Sequence, residues 1–221
     1  MNTNSIKEFS RYLHKDIEAA YSELEKIDDR SRIHLQKLVY TNLVDRFDFM
    51  IDNFLLDNFN QPELIEEATK PLLRPITESD LIKLLINPNR DNLITEIIKD
   101  SLRNTLLRNR HSKKLSKLFS IVNKDIKVWN EPRVNISTGK VLDKIKPQLK
   151  TIPYSICGYA DWLYSRRNAI VHGGGNSNIL KNDSEQLEKL FKCKPSKKLT
   201  LQLSSIKISL EFYKCVLEII K

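Results

Sequence analysis

Glycine is scarce in this chain: there are five in 221 residues, and three of the five stand together at positions 173–175. So few chain-breaking positions leave long stretches free to run as continuous helix. Cysteine is nearly as rare. Cys157, Cys193 and Cys215 are odd in number, far apart and without paired spacing, so neither a disulfide framework nor a structural zinc is indicated, and no metal or other cofactor is expected. No run of about 18 apolar residues occurs, so no membrane-spanning helix and no membrane partner are expected. The opening "MNTNSIKEFSRYLHKD" is polar and charged throughout, without the apolar core of a secretion signal, and a cytoplasmic location is the expectation. Acidic residues are in deficit, 28 Asp and Glu against 37 Lys and Arg, and the net charge of +9 gives a surface that attracts polyanions.

What the chain does have is helical periodicity. Ile6, Phe9, Leu13, Ile17, Ala20, Tyr21, Leu24 and Ile27 recur at helical spacing, and a long amphipathic helix follows from about Arg32 to Phe59, with a stripe through Leu35, Leu38, Val39, Leu43, Phe47, Met50, Phe54 and Leu55. Prolines 62, 71, 75 and 88 cut the next part into shorter helices, "SDLIKLLI" and "DNLITEIIKDSLRNTLL", expected to start at Ser or Asp caps. "VWNEPRVNISTGKV" reads as a loop or short hairpin, a small β excursion near residues 126–137. Helix resumes from about Pro153 to His172, from Asp183 to Phe191 and from Leu199 to Ile220. No internal repeat or low-complexity segment appears, and the expectation is an all-α bundle forming a single domain over residues 1–221.

The segment "RRNAIVHGGG", Arg166 to Gly175, departs from this ordinary pattern. It ends a helix, and the glycines are expected to supply a left-handed cap. At about 100° per residue, Asp161, Asn168 and His172 share one face, while Arg167 lies about 140° from His172. If both act on one phosphate, either the last turn distorts or a second subunit supplies part of the site. The residue types suit phosphodiester transfer: histidine acts as general base and acid near neutral pH, and an arginine fork stabilises charge on phosphate oxygens. Asn168 can orient the histidine or bind the phosphate. RNA brings its own nucleophile, the 2′-hydroxyl, so no metal is required. The same residues also fit a purely structural role, since a helix C-terminus favours cationic side chains.

Arg167, Asn168 and His172 resemble the Arg, four to six residues, His motif of the HEPN superfamily, in which Asn often follows the Arg directly. The long helix "HLQKLVYTNLVDRFDFMIDNFLL" is similar to a family helix that carries an acidic residue amid hydrophobics, a position for Asp48, preferred for its place inside "RFDFMI", or Asp45. The resemblance implies a HEPN-like bundle with additional helices and a metal-independent endoribonuclease leaving a 2′,3′-cyclic phosphate. Arg167 and His172 would be catalytic, supported by Asn168, in a cleft between the two subunits of a homodimer. It also implies a defence or toxin effector, restrained by an antitoxin or sensor protein. Some members carry a modifiable Tyr two residues after the His; here that position is Gly174. The alternative is a non-catalytic module of the same fold that binds nucleic acid, a nucleotide or a protein partner.

Further candidates lie outside the motif. Asp161 can position His172 or pair with Arg166. The stretch Ser101–Lys124 has no acidic residue and carries Arg103, Arg108, Arg110, Lys113, Lys114 and Lys117, a one-sign run expected either to track an RNA backbone or to form a basic loop, with His111 on its surface. Trp129, Trp162, Tyr159 and Tyr164 are expected in the core or an interface rather than stacked on bases.

Overall fold

Helix accounts for nearly all of the regular structure in the computed structural model, which describes residues 1–69, 77–142, 150–173 and 177–220. The first amphipathic stretch forms α1 (Asn4–Tyr12), a π-helical turn (Leu13–Ile17) and α2 (Glu18–Lys26). It buries Ile6, Phe9, Leu13, Ile17 and Leu24, while Ala20, Tyr21 and Ile27 are half-buried. Asp28 then caps α3 (Asp29–Asp57), its carboxylate accepting from the N–H groups of Arg30 and Ser31.

Helix α3 is the central element and has two stripes. Tyr40, Leu43, Phe47, Met50 and Phe54 face the core. Leu35 and Leu38, expected on that side, are exposed instead. They belong to a second stripe, Leu35–Leu38–Asn42–Asp45–Phe49, which starts two residues out of phase and therefore lies about 200° round the helix.

Helix α4 (Pro62–Thr69) starts on a proline at its first position, where the missing N–H costs nothing. Pro71 and Pro75, read as breakers, lie outside the described residues. Helix α5 (Glu78–Ile86) is capped by Thr77 in a reciprocal box with Asp80, and α6 (Arg90–Asn104) has Asn89 at its start without a side-chain cap, so the expected Ser and Asp caps are displaced. Helix α5 buries none of its residues, and Leu81, Ile82, Leu85 and Ile86 face outward beside Leu93, Ile94 and Ile97 of α6.

After α7 (His111–Val122), β1 (Arg133–Val134) pairs antiparallel with β2 (Val141–Leu142), slightly later than the sequence suggests. Gly139, at φ +78°, turns this hairpin, and an added Cβ would stand 2.0 Å from the carbonyl oxygen of Ile208. Helices α8 (Ile156–His172), α9 (Lys181–Phe191) and α10 (Leu203–Ile220) complete the chain. The first half of α8 is buried all round, packed against α3, α7 and α9, with Tyr159 meeting Phe212 of α10. The architecture is all-α with one two-stranded hairpin, and it delivers the C-terminal end of α8 to the surface beside α3.

Candidate functional site

Helix α8 changes character along its length. Its first turns are core; its last two carry Arg166, Arg167, Asn168 and His172 outward, with Ala169 buried between them. The helix is regular through His172, and the N–H of Gly173 still donates to the carbonyl of Ala169 at 3.0 Å. The last turn is therefore not distorted. Nor is Gly173 a left-handed cap: its φ is −81°. Glycine is needed because the backbone of Asn178 passes so close that an added Cβ would lie 2.8 Å from its carbonyl oxygen. Gly174 and Gly175 lie outside the described residues.

Arg167 is held by Asp45. Its Nη2 donates to one carboxylate oxygen at 3.2 Å, and its Nε stands 2.8 Å from the other without the angle of a hydrogen bond. Asp48, one helical turn on and preferred from sequence for this part, points elsewhere. It accepts from His111 Nδ1 at 2.7 Å and pairs with Lys114 Nζ at 2.7 Å. Burial opposes the charge on Asp48, but the His111 bond and the Lys114 charge outweigh it and hold the carboxyl well below the usual range. Lys114 also reaches Asp52 at 2.7 Å, where burial wins and raises the carboxyl.

Asn168 makes no hydrogen bond to His172 among the described residues. Its Nδ2 donates to Asp183 of α9 at 3.0 Å, and its Oδ1 accepts from Arg167 Nη1 at 3.2 Å. Asp183 in turn accepts from Arg110 Nη1 at 2.8 Å, and the same guanidinium donates from Nε to Asp161 at 2.9 Å and from Nη2 to Ser165 at 3.1 Å. Asp161, fully buried, does not reach His172 or Arg166. It instead accepts from the backbone N–H and hydroxyl of Ser112, capping the otherwise uncapped start of α7 from another helix. A continuous polar chain thus runs Asp161–Arg110–Asp183–Asn168–Arg167–Asp45, from the core to the surface, across α7, α8, α9 and α3.

Two members of the basic run are consequently not surface cations. Arg110 is locked between Asp161 and Asp183, and Lys114 is buried between Asp48 and Asp52. His111, expected on the surface, is buried too, its ring stacked on Tyr164 with centroids 5.3 Å apart and its Nε2 without a partner. Arg103, Arg108 and Lys113 remain exposed, Arg103 paired with Asp100 at 2.6 Å, and Lys117 is half-buried, 3.5 Å from Glu67. Arg166 lies flat over Trp162, 4.1 Å from the ring centroid, a cation–π contact that anchors the helix.

His172 is exposed, and no hydrogen bond or ion pair engages its ring among the described residues. Arg110, read from the sequence as a member of the basic run, meets Asp161 across 51 positions and Asp183, which sequence reasoning did not single out, across 73. Chain-local signals could not have paired them. The chain matches no protein-family model, no curated protein and no solved structure.

Proposed function

We propose that this protein is a metal-independent endoribonuclease of HEPN type, acting as a homodimer with a site shared between two copies. The observation that carries the reading is the division of labour at the end of α8: Arg167 and Asn168 are fixed in place by Asp45 and Asp183, while His172 stands exposed with no partner among the described residues. A histidine left free to exchange protons suits general base and acid catalysis. A positioned arginine supplies stabilisation where phosphorane charge develops.

In this mechanism His172 removes the proton from the 2′-hydroxyl, whose oxygen attacks the adjacent phosphorus. Arg167 bears the charge on the equatorial oxygens, the bond to the 5′-oxygen breaks, and a protonated group returns a proton to it. The products are a 2′,3′-cyclic phosphate and a 5′-hydroxyl. On a regular helix Arg167 and His172 diverge by about 140°, so one copy cannot turn both to the same phosphate, and pairing the α8 ends about a two-fold brings Arg167 of one copy to His172 of the other. The surface for that pairing is Leu38 and Phe49, on the Asp45 stripe of α3, with Val171 beside His172, all exposed. A role in defence, with an antitoxin or sensor as restraint, follows from the same resemblance.

The test is cleavage of total tRNA and of a single-stranded RNA in EDTA. Wild type should yield cyclic-phosphate ends, and His172→Ala should yield none while keeping its fold and RNA affinity. Turnover retained in that variant would remove the mechanism. One observation favours a second reading, a non-catalytic module binding nucleic acid, a nucleotide or a protein: Asp45 already neutralises Arg167. There, Arg167→Ala weakens binding, His172→Ala changes nothing, and no product forms.

A further inference from the structure

At the opposite end of α8 from His172 lies a cleft of about 650 Å³, within the size of a small-ligand site. Its floor is Tyr154 and Ser155, just before α8. One wall is the loop after α7, with Lys127, Trp129 and Arg133; the other is the end of α9, with Phe191 and Lys192. The three cations meet one acid, Glu131, which stands 3.7 Å from Arg133.

The rings are fixed before any ligand arrives. Trp129 donates from Nε1 to Ser116 Oγ at 2.8 Å and stacks on Phe191 at 5.6 Å between centroids, with 18° between planes. Lys192 follows α9 in the left-handed conformation, φ +56° and ψ +30°, where glycine is the favoured residue. Lys192 is exposed and lines the cleft, which leaves its ammonium open to a ligand there. Trp129 also lines a second cleft, about 490 Å³, with Lys113 and with Lys117, which stands 3.5 Å from Glu67. The indole is therefore a wall common to two hollows with cations on both.

We propose that these clefts bind nucleotides, with bases against the Trp129, Phe191 and Tyr154 rings and phosphates on Lys127 and Lys192, and that the strand continues past Trp129 to Lys113. Aromatic faces with flanking cations suit a base joined to a phosphate, and a lipid headgroup or acidic peptide would leave the rings unused. A free mononucleotide has the same chemistry, but a pair of adjoining clefts matches successive units of a single strand. The site lies ~25 Å along α8 from His172, so binding here stands whether or not that histidine is catalytic.

The test is anisotropy of a labelled single-stranded RNA of about twelve nucleotides, with AMP as competitor, on a His172→Ala background that prevents any cleavage. Lys127→Glu with Lys192→Glu alters two exposed side chains, so folding is preserved, and Trp129→Ala tests the ring. Each should weaken RNA binding about tenfold, and Lys113→Glu should weaken it further. Unchanged affinity in the Lys127/Lys192 variant overturns the site. Competition by AMP, with Lys113→Glu silent, upholds the nucleotide chemistry and overturns the strand. Loss of RNA binding here with no cleavage by wild type would sink the nuclease reading alone.

Discussion

On the proposed reading, Asp45 and a phosphate compete for the same guanidinium. The carboxylate positions Arg167 but also neutralises it, so an RNA held in the proposed way would have to displace that pair. Asp45→Asn should therefore tighten RNA binding a few-fold and steepen its salt dependence by roughly one phosphate contact, read from affinities across a salt series; unchanged affinity would mean that Arg167 does not meet phosphate. Asp48 has a structural part. Asp48→Asn strips His111 and Lys114 of a shared partner and should cost about 2–4 kcal/mol of stability at neutral pH. The sign follows from its lowered pKa: this stability is fully present above the unfolded value near 4 and is lost as pH falls through the lower folded value. The gap between wild type and Asp48→Asn, measured by denaturant unfolding, should narrow as pH falls below about 4. At Lys192, replacement by glycine should raise stability by about 1 kcal/mol through relief of the left-handed backbone, while removing a charge from the proposed nucleotide cleft.

At the scale of elements, α8 is where core and site meet, and Arg110 is what joins them. One guanidinium ties the start of α7 to α8 and α9, and removing it leaves Asp161 and Asp183 buried without their counter-charge. Arg110→Ala should cost about 3–5 kcal/mol by chemical denaturation. Arg110→Lys should recover only part, because an ammonium cannot reproduce three fixed donors; full recovery would reduce the network to simple charge balance. Helix positions were legible in the sequence because apolar spacing reports them locally: α3, α8, α9 and most of α10 fall where periodicity puts them. Side-chain partners were not. The choice between Asp45 and Asp48 turns on about 60° of residual rotation between residues three apart, too fine for a pattern without a neighbouring helix to set the phase. His111 and Lys114 sit within "RNRHSKK", which reads as solvated surface, and only α3, packed against α7, reveals Asp48 and Asp52 beneath them.

At the scale of the whole molecule, the basic charge and the motif suggest a polyanionic partner, and the fold brings the motif to the surface beside α3. Most of the exposed large apolar residues lie on the α5–α6 face or on the stripe of α3 that contains Asp45. The second adjoins His172's neighbour Val171 through the Asp45–Arg167 contact, and it is the surface the proposed shared site would use. The central claim is that Arg167 of one copy works with His172 of another. The most direct measurement mixes two inactive variants, Arg167→Ala and His172→Ala, after dissociation and reassociation, and assays RNA cleavage in EDTA. A shared site predicts recovery toward about a quarter of wild-type activity, since half the dimers are mixed and each has one intact pairing; a mixture as inactive as its components, from a wild type that cleaves, would contradict it.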